Sequence, residues 1–310
     1  SEAFKALVDK VKLFIRKSAE GVLTGGFHTP NHRWVTVGAL VQAAALFPDL
    51  QVKDVVQRYL AEGIDVDEDG AFTEHSVGVY DSVCDRSLLL YARFSGDLSV
   101  LPFVHRNLTF DMHLVHDDGT AETGLSRRHD YGTRKVPFCL AAGYLFYQMF
   151  EPQPQFMGMV NFLWEKCTQP GMDELMWLVY VMELMAREAP LSIDPRLRPL
   201  EDYAVLFPKN GVWRMRRDDL SVTLFARQTR LLALCSGKAE LASLKISQSY
   251  FGVGSFIGEE ISNIKSGARL VSSGKQAPNR PGYDYPLGKP VSPDNFYEIR
   301  ANRPYRPLPP

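Results

Sequence analysis

Apolar residues recur with two different spacings along the chain, and the spacing changes near residue 200. In the first part they recur every three or four positions, as on one face of an α-helix; Phe4, Leu7 and Val11 are an example. The segments that show this pattern are residues 3–17, 33–47, 52–63, 74–95, 98–115, 137–150, 155–168 and 172–188. Short connections between consecutive helices favour antiparallel helical hairpins, arranged as a bundle, a solenoid or a closed ring. The lack of a sequence repeat at a fixed period argues against the solenoid.

Two polar residues are predicted to cap helices of this first part. Asn31 is a candidate N-cap for the helix over residues 33–47, because its side chain can accept a hydrogen bond from a free backbone N–H. Thr73 is the candidate cap for the helix over residues 74–95. With Thr73 as the cap, Tyr80 is expected about two turns into its helix.

From residue 212 onwards, apolar and polar residues alternate, which is typical of β-strands. Asp218 and Asp219 separate two such runs and are predicted to form a hairpin turn. We therefore expect a helical domain over residues 1–195, a Pro- and Arg-rich linker over 196–211, and an antiparallel, sandwich-like β domain over 212–310. Because its last part is rich in Gly and Pro, we expect this β domain to be truncated.

Composition and charge narrow the class of protein. Lys and Arg number 35 against 36 Asp and Glu, a net charge of -1, which argues against a nucleic-acid-binding protein. Apolar residues form 45% of the chain, yet none of the runs reaches the ~18 residues that a membrane helix needs, so no membrane span is expected. The first residues resemble an amphipathic helix rather than a signal peptide. We expect a periplasmic or secreted protein if a signal peptide has been removed, and a cytoplasmic one otherwise.

The sequence contains none of the common cofactor motifs. Its seven His residues form no HExxH motif and its four Cys residues form no CxxC pair, so neither a metal site nor a disulfide framework is predicted. No P-loop, GxGxxG or GxSxG motif is present either. No cofactor is therefore expected.

Polar residues suited to chemistry lie in three predicted loops. The first, residues 25–34, contains two His, an Asn and an Arg before an apolar helix; these residues either form a site or only cap the helix. The second, 65–86, has an acidic start that lacks the spacing of a calcium loop. The third, 116–135, is long and polar, and such loops are usually functional. Within it, His129 and Asp130 are either a base with its orienting carboxylate or two solvated charges.

Two segments, PNHRW at 30–34 and DGAFTEHSVGVY at 69–80, resemble motifs of the heparinase II/III-like and alginate-lyase-like polysaccharide lyases. In that family an Asn-His pair begins one inner helix, and a DGxxxExSxxxY-like stretch further along supplies a tyrosine. In this sequence Asn31 and His32 form the pair, and Tyr80 follows forty-nine residues after Asn31. The order of the predicted domains, helices first and then a β domain, is also similar to that of the family.

The resemblance implies an incomplete (α/α) toroid of helical hairpins, followed by an antiparallel β-sandwich-like domain, with an acidic oligo- or polysaccharide as the partner. It also implies β-elimination on a uronic-acid-containing glycan. In that reaction hydrogen-bond donors neutralise the sugar carboxylate, a base takes the adjacent ring proton, and an acid protonates the departing glycosidic oxygen. The residues implied as catalytic are Asn31, His32, Tyr80 and His129. Those implied as substrate-binding are His28, Arg33, Glu74, His75, Glu122, Arg127, Arg128, Asp130 and Tyr131.

One departure from the family pattern keeps alternatives open. The family's β domain usually supplies further His, often in an HxHxD-like strand, whereas no His follows His129 here. Either His129 or His75 takes that role, or the chain does not catalyse elimination in the family's way. A glycoside hydrolase on the same toroid would need two carboxylates across a cleft. The candidates for this pair are Glu74, Asp81, Glu122 and Asp130. A non-catalytic glycan-binding protein is the third alternative.

Overall fold

A computed structural model of the chain describes residues 2–25, 29–188, 194–249 and 253–272. The chain divides into two compact units. The first comprises Ser1–Tyr203 with Arg216–Ser221, and the second comprises Ala204–Met215 with the described part of Val222–Pro310. Helices occupy the chain up to Glu188 and strands follow from Tyr203, so the predicted order of helices before strands is confirmed.

Eight α-helices form within the described residues, and each overlaps a segment in which the spacing of apolar residues predicts a helix. They are α1 (Glu2–Thr24), α2 (Pro30–Leu46), α3 (Lys53–Ala61), α4 (Tyr80–Ser95), α5 (Leu101–His113), α6 (Cys139–Tyr147), α7 (Pro154–Lys166) and α8 (Met172–Glu188). A short 3-10 helix, Leu98–Val100, leads into α5.

α2 and α4 pack closely against each other in the core of the first unit. α2 buries Trp34 and Leu40, and α4 buries Leu88. Gly38 permits the close approach, since a Cβ at this position would lie 2.8 Å from the carbonyl oxygen of Ser87. The nearly all-apolar sequence of α2 therefore reflects burial against neighbouring helices.

The predicted N-cap of α2 is wrong. The cap is Thr29, whose side chain accepts a hydrogen bond from the backbone N–H of His32 at 3.4 Å. Pro30 is the first helical residue, a position that proline favours because its missing N–H would have no helical partner there. Asn31 consequently lies inside the first turn, and its side chain makes a long-range contact instead of a cap.

α4 begins at Tyr80 rather than at residue 74, so Tyr80 is the first residue of its helix and not two turns into it. The preceding residues form a loop that is closed by a β-bridge between Val66 and Phe72. His75 in this loop has a φ of 52°, in the left-handed region, and a helix cannot continue through that conformation.

The described strands form one five-stranded antiparallel sheet and two separate two-stranded hairpins. The sheet runs β1 (Tyr203–Phe207), β2 (Val212–Arg217), β3 (Leu220–Phe225), β4 (Leu232–Ser236) and β5 (Ala239–Leu244), each beside its neighbour in sequence. The hairpins are β6 (Ser247–Ser249) with β7 (Val253–Ser255), and β8 (Glu260–Ile264) with β9 (Gly267–Val271). Asp218 has a φ of 49° between β2 and β3, so the predicted turn is confirmed. β1 lies inside the segment predicted as a linker, 196–211.

α1 is the longest of the described helices, at 23 residues, and Ala19 is its buried residue. Charged residues recur along its whole length. Across the part of the chain that the structure describes, none of the helices combines the length and the apolar character that crossing a membrane requires.

Candidate functional site

The buried carboxylate of Asp130 joins two loops, residues 65–79 and residues 116–135. Its Oδ1 accepts hydrogen bonds from the hydroxyls of Ser76, at 2.9 Å, and Ser126. Its Oδ2 accepts from the backbone N–H of Gly78 at 3.1 Å. A Cβ on Gly78 would lie 2.8 Å from that same oxygen, so only glycine leaves room for the carboxylate. Asp130 thus holds the two loops together and fixes the side chains that they carry.

Glu74 is buried at the meeting point of three segments. Its Oε2 accepts a hydrogen bond from Nδ2 of Asn31 at 3.1 Å, and its Oε1 is 3.2 Å from Nη1 of Arg128. The Asn31 amide is itself oriented, because the Thr29 hydroxyl donates to its Oδ1 at 3.0 Å. The backbone N–H of Arg127 also donates to the carbonyl of Glu74 at 3.0 Å. The first turn of α2 and both loops therefore meet at this carboxylate.

Tyr80 is half-buried beside this ion pair. Cζ of Arg128 lies 4.4 Å from the centroid of the Tyr80 ring. The imidazole of His129 packs edge-on against the same ring, with centroids 5.5 Å apart and an interplanar angle of 79°. The backbone N–H of Tyr80 donates to the Ser76 hydroxyl at 3.2 Å, which ties the start of α4 to the Asp130 network. Asn31, Glu74, Tyr80, Arg128 and His129 are called the Tyr80 cluster below.

The surroundings of the cluster raise the pKa of both Glu74 and Arg128. Burial raises the pKa of Glu74, while the positive charge of Arg128 and the hydrogen bond from Asn31 oppose that rise. Asp65 raises the pKa of Glu74 further and His32 lowers it, so both act on this carboxylate across space. A hydrogen bond to Tyr80, followed by the charge of Glu74, raises the pKa of Arg128.

The cluster combines groups that bind anions with groups that transfer protons. Arg128 and Asn31 offer a cationic and a neutral hydrogen-bond donor, a pair suited to a carboxylate ligand. Tyr80 and His129 carry a phenol and an imidazole, both of which serve as general acids or bases in enzymes. Arg128 and His129 are exposed, so solvent reaches the groups that would meet a ligand.

Two predicted substrate-binding residues, Arg33 and Glu122, are themselves buried and are held by neighbouring groups. Nη1 of Arg33 is 3.0 Å from Glu62 and Nη2 is 3.1 Å from Asp65, and the guanidinium lies over the Trp34 ring. Oε1 of Glu122 accepts a hydrogen bond from the backbone N–H of Gly124 at 2.8 Å. Oε2 of Glu122 is 3.9 Å from Nε2 of His116, and both of these side chains are buried. Arg33 and Glu122 therefore stabilise the local fold through these contacts.

The other predicted residues lie around the cluster or outside the described chain. Arg127 is exposed, and its Nη1 donates to the carbonyl of Thr73 at 3.4 Å. His75 is buried, with Nδ1 3.0 Å from that same carbonyl. His32 is exposed in the first turn of α2, and Tyr131 is 55% exposed within the 116–135 loop. His28 falls outside the described residues.

Three buried carboxylates near the site were not foreseen as a group. Asp81 and Asp85 are one helical turn apart on α4, Asp111 is on α5, and all three side chains are fully buried. Burial raises the pKa of Asp81 to about 7, and the charge of Asp130 adds to the rise. Burial, followed by the charge of Asp81, raises the pKa of Asp85 and Asp111 well above the ordinary range. For Asp81 and Asp85 the sequence offers one sign, a spacing of four residues within the predicted helix 74–95.

The backbone N–H of Ser76 donates to Oδ1 of Asp81 at 3.1 Å, so the buried carboxylates and the Tyr80 cluster share one loop. Within the described ranges, no group of three or more His, Cys, Asp or Glu side chains is arranged to hold a metal ion.

No protein-family model matches the sequence, and no curated protein matches it. The function is therefore argued from the geometry and chemistry of the site.

Proposed function

We propose that the Tyr80 cluster binds a uronic-acid-containing glycan and cleaves it by β-elimination. The observation that carries the proposal is the position of Arg128, which pairs with Glu74 and lies over the ring of Tyr80. A carboxylate-binding cation is thereby held next to a proton-transfer group, with the Asn31 amide on the same carboxylate of Glu74. Elimination beside a carboxylate requires these two functions together.

The reaction assigns a role to each member of the cluster. Arg128 and Asn31 bind the sugar carboxylate, which makes the neighbouring ring C–H more acidic. Tyr80 takes that proton, and the electron pair of the C–H bond forms the new carbon–carbon double bond. The bond from the adjacent carbon to the glycosidic oxygen breaks, and Tyr80 or His129 donates a proton to the departing oxygen. Glu74 is a positioning residue that holds both donors before substrate arrives.

The same proposal extends to the architecture. We infer that the eight helices form an incomplete (α/α) toroid and that the sheet and hairpins form a β-sandwich-like domain. The support is the order of helices and strands together with the PNHRW and DGxxxExSxxxY-like segments, which resemble those of polysaccharide lyases.

A glycoside hydrolase has less support from the same geometry. Its four candidate carboxylates, Glu74, Asp81, Glu122 and Asp130, are all buried. Asp130 already accepts hydrogen bonds from Ser76, Ser126 and Gly78. A non-catalytic glycan-binding protein is favoured by one observation, the absence of any His after His129 in the sequence.

The test is an activity screen of the full chain on polysaccharides that contain uronic acids. Elimination leaves an unsaturated sugar, so the product absorbs ultraviolet light, whereas hydrolysis generates reducing ends without that absorbance. Tyr80→Phe should remove the absorbance change, while Tyr59→Phe on α3, a change of the same kind outside the cluster, should leave it intact. Binding without turnover would identify a glycan-binding protein, and failure to bind any acidic glycan would refute the proposal.

A further inference from the structure

The first and last of the described helices each expose an apolar stripe. On α1 the stripe consists of Leu7, Val11 and Phe14, which are between 47% and 72% exposed. On α8 it consists of Met172, Met176, Val179 and Met182, which are between 47% and 74% exposed. Both sets follow a spacing of three or four residues, so each set lies along one face of its helix. We call these faces the α1 stripe and the α8 stripe.

The opposite sides of both helices are used within the first unit. α1 packs on α2, and α8 packs on α6, where it buries Leu178, Val181 and Met185. Each stripe therefore remains as a second apolar face on a helix that is already anchored. Contiguous exposed apolar surface of this kind marks interaction sites more often than scattered single residues do.

The two helices carry opposite charge. α1 contains five basic residues against three acidic ones, and α8 contains four acidic residues against one basic residue. Lys10 and Lys17 line one shallow groove with Phe14, so positive charge borders the α1 stripe directly. Asp173 is exposed next to Met172 on α8, so negative charge borders the α8 stripe there, whereas Glu183 is paired with Arg187 of the same helix.

We propose that the chain forms a symmetric dimer in which the α1 stripe of each protomer packs on the α8 stripe of its partner. A two-fold axis makes this contact twice, because each protomer supplies one basic helix and one acidic helix. Pairing α1 with α1, or α8 with α8, would instead bring like charges together. An anionic membrane surface suits the basic α1 but not the acidic α8, and it would leave the α8 stripe uncovered.

A complementation experiment separates this dimer from the other pairings. One full-chain variant carries Leu7→Asp with Phe14→Asp, and a second carries Met176→Asp with Met182→Asp. Light scattering coupled to size exclusion should give twice the protomer mass for the wild type and the protomer mass for each variant alone. An equimolar mixture of the two variants should regain dimers, because the intact α8 stripe of the first variant meets the intact α1 stripe of the second.

Three controls make the outcome decisive. Leu98→Asp, at an exposed apolar residue outside both stripes, should leave the dimer unchanged. Both variants should fold, because the substituted side chains are exposed, and circular dichroism melts check this. Raising the salt concentration should weaken the dimer, because part of the attraction is between charges. The proposal is refuted if the wild type is monomeric, if one variant alone remains dimeric, or if the mixture stays monomeric.

Discussion

Replacing Asp81 by Asn should stabilise the protein at neutral and alkaline pH. The side chain is fully buried at the start of α4, and burial raises its pKa from 3.8 to about 7. Asn has nearly the same shape as a protonated Asp, and its oxygen can still accept the hydrogen bond that the backbone N–H of Ser76 now donates. The substitution therefore removes the cost of burying a charge and keeps the shape of the site.

The sign of the pH dependence follows from the raised pKa of Asp81. Between about pH 4 and pH 7 the folded protein binds a proton at Asp81 that the unfolded chain has already released, so stability falls as pH rises through this range. A pKa of about 7 in the folded protein against the ordinary 3.8 corresponds to a loss of about 4 kcal/mol, at ~1.36 kcal/mol for each tenfold difference in proton affinity. That is a large share of the 5–15 kcal/mol by which domains are typically stable.

The measurement is urea unfolding of both proteins at intervals between about pH 4 and pH 8, extrapolated to water. The stability difference between Asp81→Asn and wild type should be small at the acidic end and grow towards about 4 kcal/mol above pH 7. Asp97→Asn is the matched control, because the backbone N–H of Ser99 lowers the pKa of Asp97 and its contribution is lost only under more acidic conditions. A difference that does not change with pH, or a wild type that is more stable at pH 8, would show that Asp81 is not buried as described.

Three further substitutions test the candidate site. Tyr80→Phe should lower turnover by about 10²–10⁴-fold, the range for loss of a general acid or base, with glycan affinity in a binding titration nearly unchanged. Asn31→Ala should lower the rate by about 10²–10³-fold in the ultraviolet assay, as for loss of one donor to a developing negative charge. Gly78→Ala should destabilise the protein by about 1–3 kcal/mol in denaturant unfolding, because the new Cβ meets the carboxylate of Asp130. Gly21→Ala is its control, since no atom lies within 4 Å of a Cβ there, and a larger loss at Gly21 would contradict this account.

The helices could be predicted from sequence because their pattern is local. The segment 172–188 coincides with α8 at both ends, because the apolar spacing that predicts this helix lies entirely within the segment. The start of α4 could not be predicted in the same way. The residues before Tyr80 are held out of the helix by partners far along the chain, such as Asn107, whose amide donates to the carbonyl of Gly70 at 2.9 Å.

The candidate site shows the same division between local and distant information. Residue type and motif single out Asn31, Tyr80, Arg128 and His129. In the structure Asn31 and Arg128 contact the buried Glu74, Tyr80 lies against Arg128, and His129 packs on the Tyr80 ring. Whether a polar side chain holds the fold together or can contact a ligand depends on its burial, and a single sequence does not reveal burial. Asp130 was expected to bind substrate or to orient His129, yet its described hydrogen bonds hold two loops together.

Glu74 has a consequence for how tightly the site can hold an anion. In the free protein this carboxylate occupies the donors of Asn31 and Arg128, so it acts as an intramolecular competitor for any incoming carboxylate. The observed binding free energy is then the difference between the interaction of the ligand carboxylate and that of Glu74 with the same two donors. Protonation of Glu74 removes the competitor, and burial raises the pKa at which this occurs. Anion affinity, followed by calorimetry against pH, should therefore increase on acidification, and Glu74→Gln should abolish that dependence.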